Sequence, residues 1–244
     1  MHSDAPGCSR PAAIQCSTVA NDDWWIDETA HAGPEHLDVA YVAGYDAKSG
    51  TDWNEDVQTL LRLGIDSTST VVDIGAGTGT FCLAIAPYVL RVIGVDVSPA
   101  MVEVMRSRGV DAVEAGFLSY EHDANSVDAV FSRNALHHLP DFWKAVALHR
   151  VANALRRGGI LLLQDLIYSF DPDDAGDAIS AWLAAAPTDR ASGWTSAELA
   201  EHVRTEFSTF SWLLEPLLDR AGFDIAERWM SESRLYGEYV CIRR

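Results

Sequence analysis

Val71-Val72-Asp73-Ile74-Gly75-Ala76-Gly77-Thr78-Gly79-Thr80 reads as a buried strand that runs into a glycine loop and opens a helix. Thr70 to Ile74 is a short, β-branched apolar run with a carboxylate near its end, as in a core strand of a parallel sheet. Glycines at every second position follow, and Phe81-Cys82-Leu83-Ala84-Ile85-Ala86 continues as a helix. Glycine has no Cβ and admits positive φ, so the backbone can turn sharply and lie against a ligand. The first amides of the helix then face that ligand, with the positive end of the helix dipole behind them. Such a loop cradles a nucleotide-type cofactor, unless the glycines merely make a tight turn.

Arg91-Val92-Ile93-Gly94-Val95-Asp96 weighs against the bare turn. It is another short apolar strand, and its acid stands about twenty residues after the glycines, where a doubly wound fold holds ribose hydroxyls. Ser98 suits the N-cap of the next helix, over residues 99–108, and Pro99 its first position. Strands follow at 110–114, 127–132 and 160–163, with a helix at 141–155. Strands alternating with helices at this spacing predict an α/β fold, a parallel sheet with right-handed crossovers.

Residues 1–20 are rich in Ser, Ala and Pro and read as a flexible arm. Residues 21–64 form N-terminal helices whose aromatics, among them Trp24, Trp25, Tyr41 and Tyr45, either pack on the domain or form a lid. The last of these helices, at 51–63, has Asp52 and Glu55 at capping-box spacing and Gly64 as its stop. Residues 169–218 replace a simple crossover with extra helices, one of them opened by a Thr195–Glu198 capping box, and could cover an acceptor pocket. Strands at 224–230 and 235–242 close the chain.

Four stretches in this order resemble the motifs of the class I S-adenosylmethionine-dependent methyltransferases. They are Asp73-x-Gly75-x-Gly77-x-Gly79, Asp96-Val97-Ser98-Pro99-Ala100-Met101, Asn134-Ala135-Leu136-His137-His138-Leu139-Pro140, and Leu155-Arg156-Arg157-Gly158-Gly159-Ile160. The likeness spans about residues 50–170 and, more weakly, the C-terminal strands. It implies a Rossmann-like, doubly wound, seven-stranded sheet, mostly parallel with an antiparallel C-terminal strand, over a domain at 65–244. It implies S-adenosylmethionine as cofactor.

Carried onto this sequence, the resemblance assigns Asp73, Gly75, Gly77 and Gly79 to the methionine and ribose side, and Asp96 to the ribose hydroxyls. Val97 and Met101 wall the adenine, Gly116 and Phe117 lie beside it, and Asn134 faces the cofactor's amino group. The acid that the family turns to the adenine amine falls at Phe117, a departure from the pattern. Methyl transfer is an in-line displacement that positioning alone can accelerate greatly. His137, His138 and Asp165, after the fourth and fifth strands, are candidates for a base, and equally for shaping the turns they occupy. Tyr41, Tyr45 and Gln164 are candidates for binding the acceptor.

The 244 residues suit one α/β domain. Acids outnumber bases 36 to 18, a formal charge of −18, and no Lys/Arg cluster offers a groove for nucleic acid. No stretch approaches the ~20 apolar residues of a membrane span. Cys8, Cys16, Cys82 and Cys241 are scattered, which fits a reducing cytoplasm and gives no metal-ligand spacing. The expected partner is therefore a small-molecule methyl acceptor, with no nucleic acid, membrane or metal and the oligomeric state open. An NAD(P)-binding oxidoreductase and a non-catalytic S-adenosylmethionine-binding protein are the alternatives.

Overall fold

The structure, a computed structural model, describes residues 24–244. The arm expected at 1–20 and the start of the segment expected from 21 lie outside the described residues. The strands are β1 (Thr70–Ile74), β2 (Arg91–Asp96), β3 (Asp111–Glu114), β4 (Val127–Arg133), β5 (Leu155–Tyr168), β6 (Thr209–Phe210), β7 (Phe223–Met230) and β8 (Tyr236–Arg243). Seven of them line up as β3-β2-β1-β4-β5-β8-β7, and β6 adds a two-residue pairing to the end of β5. Only β8 runs against its neighbours. The chain leaves β1 toward β2 and β3, then returns to β4 on the other side, so the order reverses between β1 and β4. That reversal opens a crevice at the carboxyl ends of the strands.

The helices are α1 (Val39–Ser49), α2 (Asn54–Arg62), α3 (Thr80–Ile85), α4 (Pro99–Ser107), α5 (Asp141–Ala154), α6 (Ala175–Ala185), α7 (Ser196–Thr205) and α8 (Ser211–Ala221). Strand alternation sorts them onto two faces. Val72, Leu161 and Leu163 join Trp143, Leu148 and Leu218 of α5 and α8 in one cluster. Val71, Ile160 and Leu162 join Val57, Leu60 and Phe81 of α2 and α3 in the other. Phe81 and Phe131 stack across the second face with ring centroids 3.9 Å apart. None of the helices is long and apolar enough to cross a membrane.

Local chemistry sets most boundaries. Ser98 caps α4 by accepting from Met101 N, Pro99 fills its first position, and Thr195 with Glu198 closes a capping box on α7. Gly222, at φ 101°, ends α8 although Pro216 stands inside that helix. Two expectations needed correction, and one strand was not foreseen. Asp52 accepts from Asn54 N, so α2 starts at Asn54 without the expected box. β6 carried no pattern long enough to read. β5 runs on to Tyr168, because buried Leu166, Ile167 and Tyr168 pair with β8 and β6, and Gln164 and Asp165 lie inside the strand rather than at its end.

Phe131 is 1% exposed in β4 and supports both the second cluster and the strand that leads to Asn134. Phe131→Ala is expected to cost about 3–5 kcal/mol of stability. A urea melt with its midpoint shifted accordingly is the check, and a shift below about 1 kcal/mol would show that the stacked pair is not central.

Candidate active site

A cavity lies across the carboxyl ends of β4, β1, β2 and β3. Arg133, Asn134 and Ala135 border it after β4, and Gly75 and Gly77 after β1. Asp96, Val97 and Met101 follow β2, and Gly116 and Phe117 follow β3. The N-terminal segment roofs it with Glu28, His36 and Tyr45, and His138 and Leu139 complete one wall. No described residue of 169–218 lines it.

The glycine loop is shaped by close approach. Gly75 has φ +80°, and a Cβ there would overlap the Ala135 side chain on the loop after β4. Asn134 has φ 52°, a sparsely occupied conformation for a residue with a side chain. Its amide donates to Gln164 O at 2.9 Å, which ties the β4 loop to β5. Asp96 sits between the two halves of the cavity, accepting from Gly77 N at 2.8 Å and Ser98 N at 2.9 Å. Burial pushes its carboxyl up to about 6, and those two amides oppose the rise.

Two assigned cofactor residues stand behind the wall. Gly79 caps α3 with φ +78°, and a Cβ there would press on Met105 Cγ at 2.7 Å. Asp73 is 2% exposed inside β1, and Cys82 Sγ donates to it at 3.5 Å. Burial raises its carboxyl to about 8, with Asp96 and Asp56 pushing the same way.

Glu28 was missed by sequence reading. Its carboxylate accepts from Leu118 N at 3.0 Å and Ser119 Oγ at 2.8 Å, so it reaches the loop after β3 from outside the sheet. A Cβ built on Gly116 would collide with that carboxylate, 2.6 Å from its Cδ. The glycine leaves room for an acid that arrives from elsewhere in the chain. No motif spacing could reveal it, because 90 residues separate Glu28 from Leu118.

The candidates near β4 and β5 divide. His138 lines the cavity, whereas His137 and Asp165 are buried behind it. Asp165 holds His137 through Nδ1 at 2.5 Å and through the backbone amide at 3.0 Å. Burial disfavours charge on His137, but Asp165 and Glu206 outweigh it and lift the ring to about 9. Burial, aided by neighbouring His137, holds His138 down at about 3. Gln164 donates to Asp56 at 2.5 Å and Glu238 at 2.8 Å, away from the cavity. Tyr45 lines it, and Tyr41 packs behind, its ring 6.2 Å from that of Tyr45.

Residues 71–159 match the family described as a methyltransferase domain. YcgJ, an uncharacterized methyltransferase of Bacillus subtilis (strain 168), is 41% identical over 111 residues, 42% of this chain and 42% of that protein. An uncharacterized methyltransferase of Bacillus pumilus (strain SAFR-032) is 27% identical over 164 residues, 66% of this chain and 72% of that one. Phosphoethanolamine N-methyltransferase 2 of Haemonchus contortus, solved in complex with S-adenosyl-L-methionine, shares the fold with a TM-score of 0.68 at 17% identity. That superposition covers 90% of this chain and 60% of the other.

Asp73 generates a pH test. Its folded-state value of about 8 lies above the ordinary carboxylate value of 3.8, so the folded chain holds a proton that the unfolded chain releases. Its contribution to stability is fully present below the lower value and is lost as pH rises through the upper one. Asp73→Asn, which cannot ionise, is expected to gain stability relative to the parent as pH increases from about 4 to about 8. Parallel urea melts across that range are the measurement, and a pH-independent difference would mean that Asp73 is ionised in the fold.

Proposed function

We propose that the chain is a class I S-adenosylmethionine-dependent methyltransferase and that it methylates an O, N or C atom of a small-molecule acceptor, chiefly by positioning. One observation carries the reading: the cavity crosses four strand ends at the topological switch, with a half-buried carboxylate, Asp96, at its middle. The roof over the cavity suits a compact acceptor better than a macromolecule.

The cofactor, when bound, supplies a methyl group on a sulfonium sulfur, which is a good leaving group. This chain's residues would hold and orient. Asp96 accepts from the ribose hydroxyls, using the lone pairs that Gly77 and Ser98 leave open. Gly75 and Gly77 let backbone come close, and Asn134 faces the amino-acid end. Val97, Met101 and Phe117 wall the base. Glu28 takes the place of the acid missing after β3 and accepts from the adenine amine. Asp73 and Gly79 support the loop from behind.

The acceptor end is then the part of the cavity bounded by Tyr45, His36, His138 and Arg133. His138 is the one of the three base candidates that faces it, and we assign it to orienting the acceptor. His137 and Asp165 act through the turn that carries His138. Gln164 is held by Asp56 and Glu238 outside the cavity lining, and Tyr41 acts by backing Tyr45.

The N-terminal segment forms a cover. Its aromatics dock on α5, where Trp25 meets Trp143 with centroids 4.9 Å apart, and Asp46 pairs with Arg108 at 2.6 Å. Lys48 ties α1 to Glu198 of α7 at 2.8 Å. Opening it would admit both ligands from the strand ends. A surface so acidic, without a basic groove, fits a cytoplasmic enzyme of small-molecule metabolism.

Turnover is tested with labelled S-adenosylmethionine and a panel of phenols, amines and carbon acids. Label transfer to one of them is expected, and tight cofactor binding without transfer to any acceptor class would favour a binding protein instead. Asp96→Ala should weaken S-adenosylhomocysteine by at least about tenfold, since each charge-assisted hydrogen bond is worth ~1.5–3 kcal/mol. With Asp96 at about 6 in the free protein, affinity should fall as pH drops through that value, because the protonated acid accepts less well. Calorimetry of both variables is the measurement. Glu28→Gln should narrow the preference for S-adenosylhomocysteine over S-inosylhomocysteine, because an amide can donate to the inosine carbonyl. An unchanged ratio would return Glu28 to pinning the segment.

A further inference from the structure

The turn after β4 meets the end of α7 in a cluster that the cofactor site does not use. His137 Nε2 lies 2.9 Å from Glu206 Oε2, and His202 Nδ1 lies 2.5 Å from the same oxygen. The donor atoms of these three residues all fall within 4.8 Å of one another. Atoms sharing one ion at bond lengths of ~2.0–2.2 Å can be at most ~4.4 Å apart, so the cluster is already close to a coordination sphere. His138 Nδ1 stands 3.8 Å from Glu206 Oε2 on the cavity side.

Two features separate this cluster from an ordinary hydrogen-bonded group. His138 Nδ1 is buried and has no hydrogen-bond partner, whereas Glu206 Oε2 is approached only by the ring nitrogens of His137 and His202. Protons on His137 and His202 would offset the charge of Glu206, yet they would leave the His138 nitrogen facing nothing. The outer nitrogens are already engaged, His137 Nδ1 by Asp165 at 2.5 Å and His202 Nε2 by Ser208 Oγ at 2.8 Å. A carboxylate behind an imidazole fixes the ring and turns its other lone pair inward, the usual support of a metal-bound histidine.

The frame around the cluster is also fixed. Phe207 N donates to His137 O at 2.9 Å, and Lys144 Nζ donates to Phe207 O at 2.5 Å. His202 and Glu206 are four residues apart at the end of α7, which places them on one face. Charge closes as well: Asp165 and Glu206 bring two negative charges, which one divalent ion with neutral imidazoles balances.

We propose that His137 Nε2, His202 Nδ1 and Glu206 Oε2, completed by His138 Nδ1, bind one divalent transition-metal ion, with Zn²⁺ the best match to three imidazoles and a carboxylate. Such sets of nitrogen and oxygen donors suit zinc at four-coordinate sites. The ion pins the inserted helices to the turn that carries His138 and so fixes the acceptor wall. Scanning cysteines for paired spacing could not find it, because its ligands are a His-His pair and a His-x-x-x-Glu step far apart in the chain. The site stands whether or not the cavity takes S-adenosylmethionine.

The test uses the full chain, stripped with chelator and titrated with Zn²⁺ against a fluorescent competitor, and with Co²⁺ by visible absorption. The parent should bind one ion per chain, give a cobalt band of tetrahedral type, and melt at a higher temperature with Zn²⁺ than without. His202→Ala and Glu206→Ala should each weaken Zn²⁺ by more than about 100-fold, and Asp165→Asn by about 10–100-fold. His122→Ala, on an exposed loop, should change nothing, which guards against adventitious surface binding. Circular dichroism of the stripped variants separates lost ligands from lost folding, and Asp165→Asn keeps all four donors if the alanine variants unfold. No binding by the parent, or parent-like affinity in folded His202→Ala, would overturn the proposal and leave a proton-bridged cluster.

Discussion

Gly75 and Ala135 come so close that no side chain could stand at residue 75, and the active-site geometry depends on that approach. The two loops belong to β1 and β4, the strands between which the chain reverses its direction of travel across the sheet. With a larger residue there, the loops would part and the crevice would lose its floor. Ile74 O receives Ser132 Oγ at 2.7 Å just beneath, so the contact is locked by a buried hydrogen bond as well as by packing. The positive φ of Asn134 is the strain that this closeness imposes on the β4 side.

The fold was legible because its signals are local. β1 and β2 were readable to the residue, since a β-branched apolar run, a glycine loop and a capped helix occupy adjacent positions. β5 was read too short because Gln164 and Asp165 look like a strand end. A polar pair can lie within a strand when each member has partners: Gln164 has Asp56 and Glu238, and Asp165 has His137 and Leu166 N. Tertiary satisfaction of this kind has no trace in a single sequence.

The site was legible in the same uneven way. Of the cofactor residues named from motifs, Asp73 and Gly79 are the two that stand behind the wall rather than in it. What could not be read is whatever crosses between distant segments. Glu28 fills the space over Gly116, and Glu206 faces His137, across 90 and 69 residues of chain. A motif reports where backbone must bend or a helix must start. It says nothing of a side chain that arrives from another element to occupy the room a glycine leaves.

The acids in and behind the cavity share one electrostatic condition. Asp73, Asp96 and Glu28 are all raised above ordinary carboxylate values, burial being the largest cause in each. Each therefore stands in an environment where its charge is under-solvated. At Asp96 and Glu28, which line the cavity, a ligand carrying positive charge and hydroxyl or amine donors would supply the missing solvation, so its binding would favour the ionised forms. Desolvation that weighs on the free protein thus becomes selectivity for the charged, donor-rich cofactor. A neutral ligand of the same shape would recover less of it. Asp165 shows the opposite case, because His137 already holds it ionised despite complete burial.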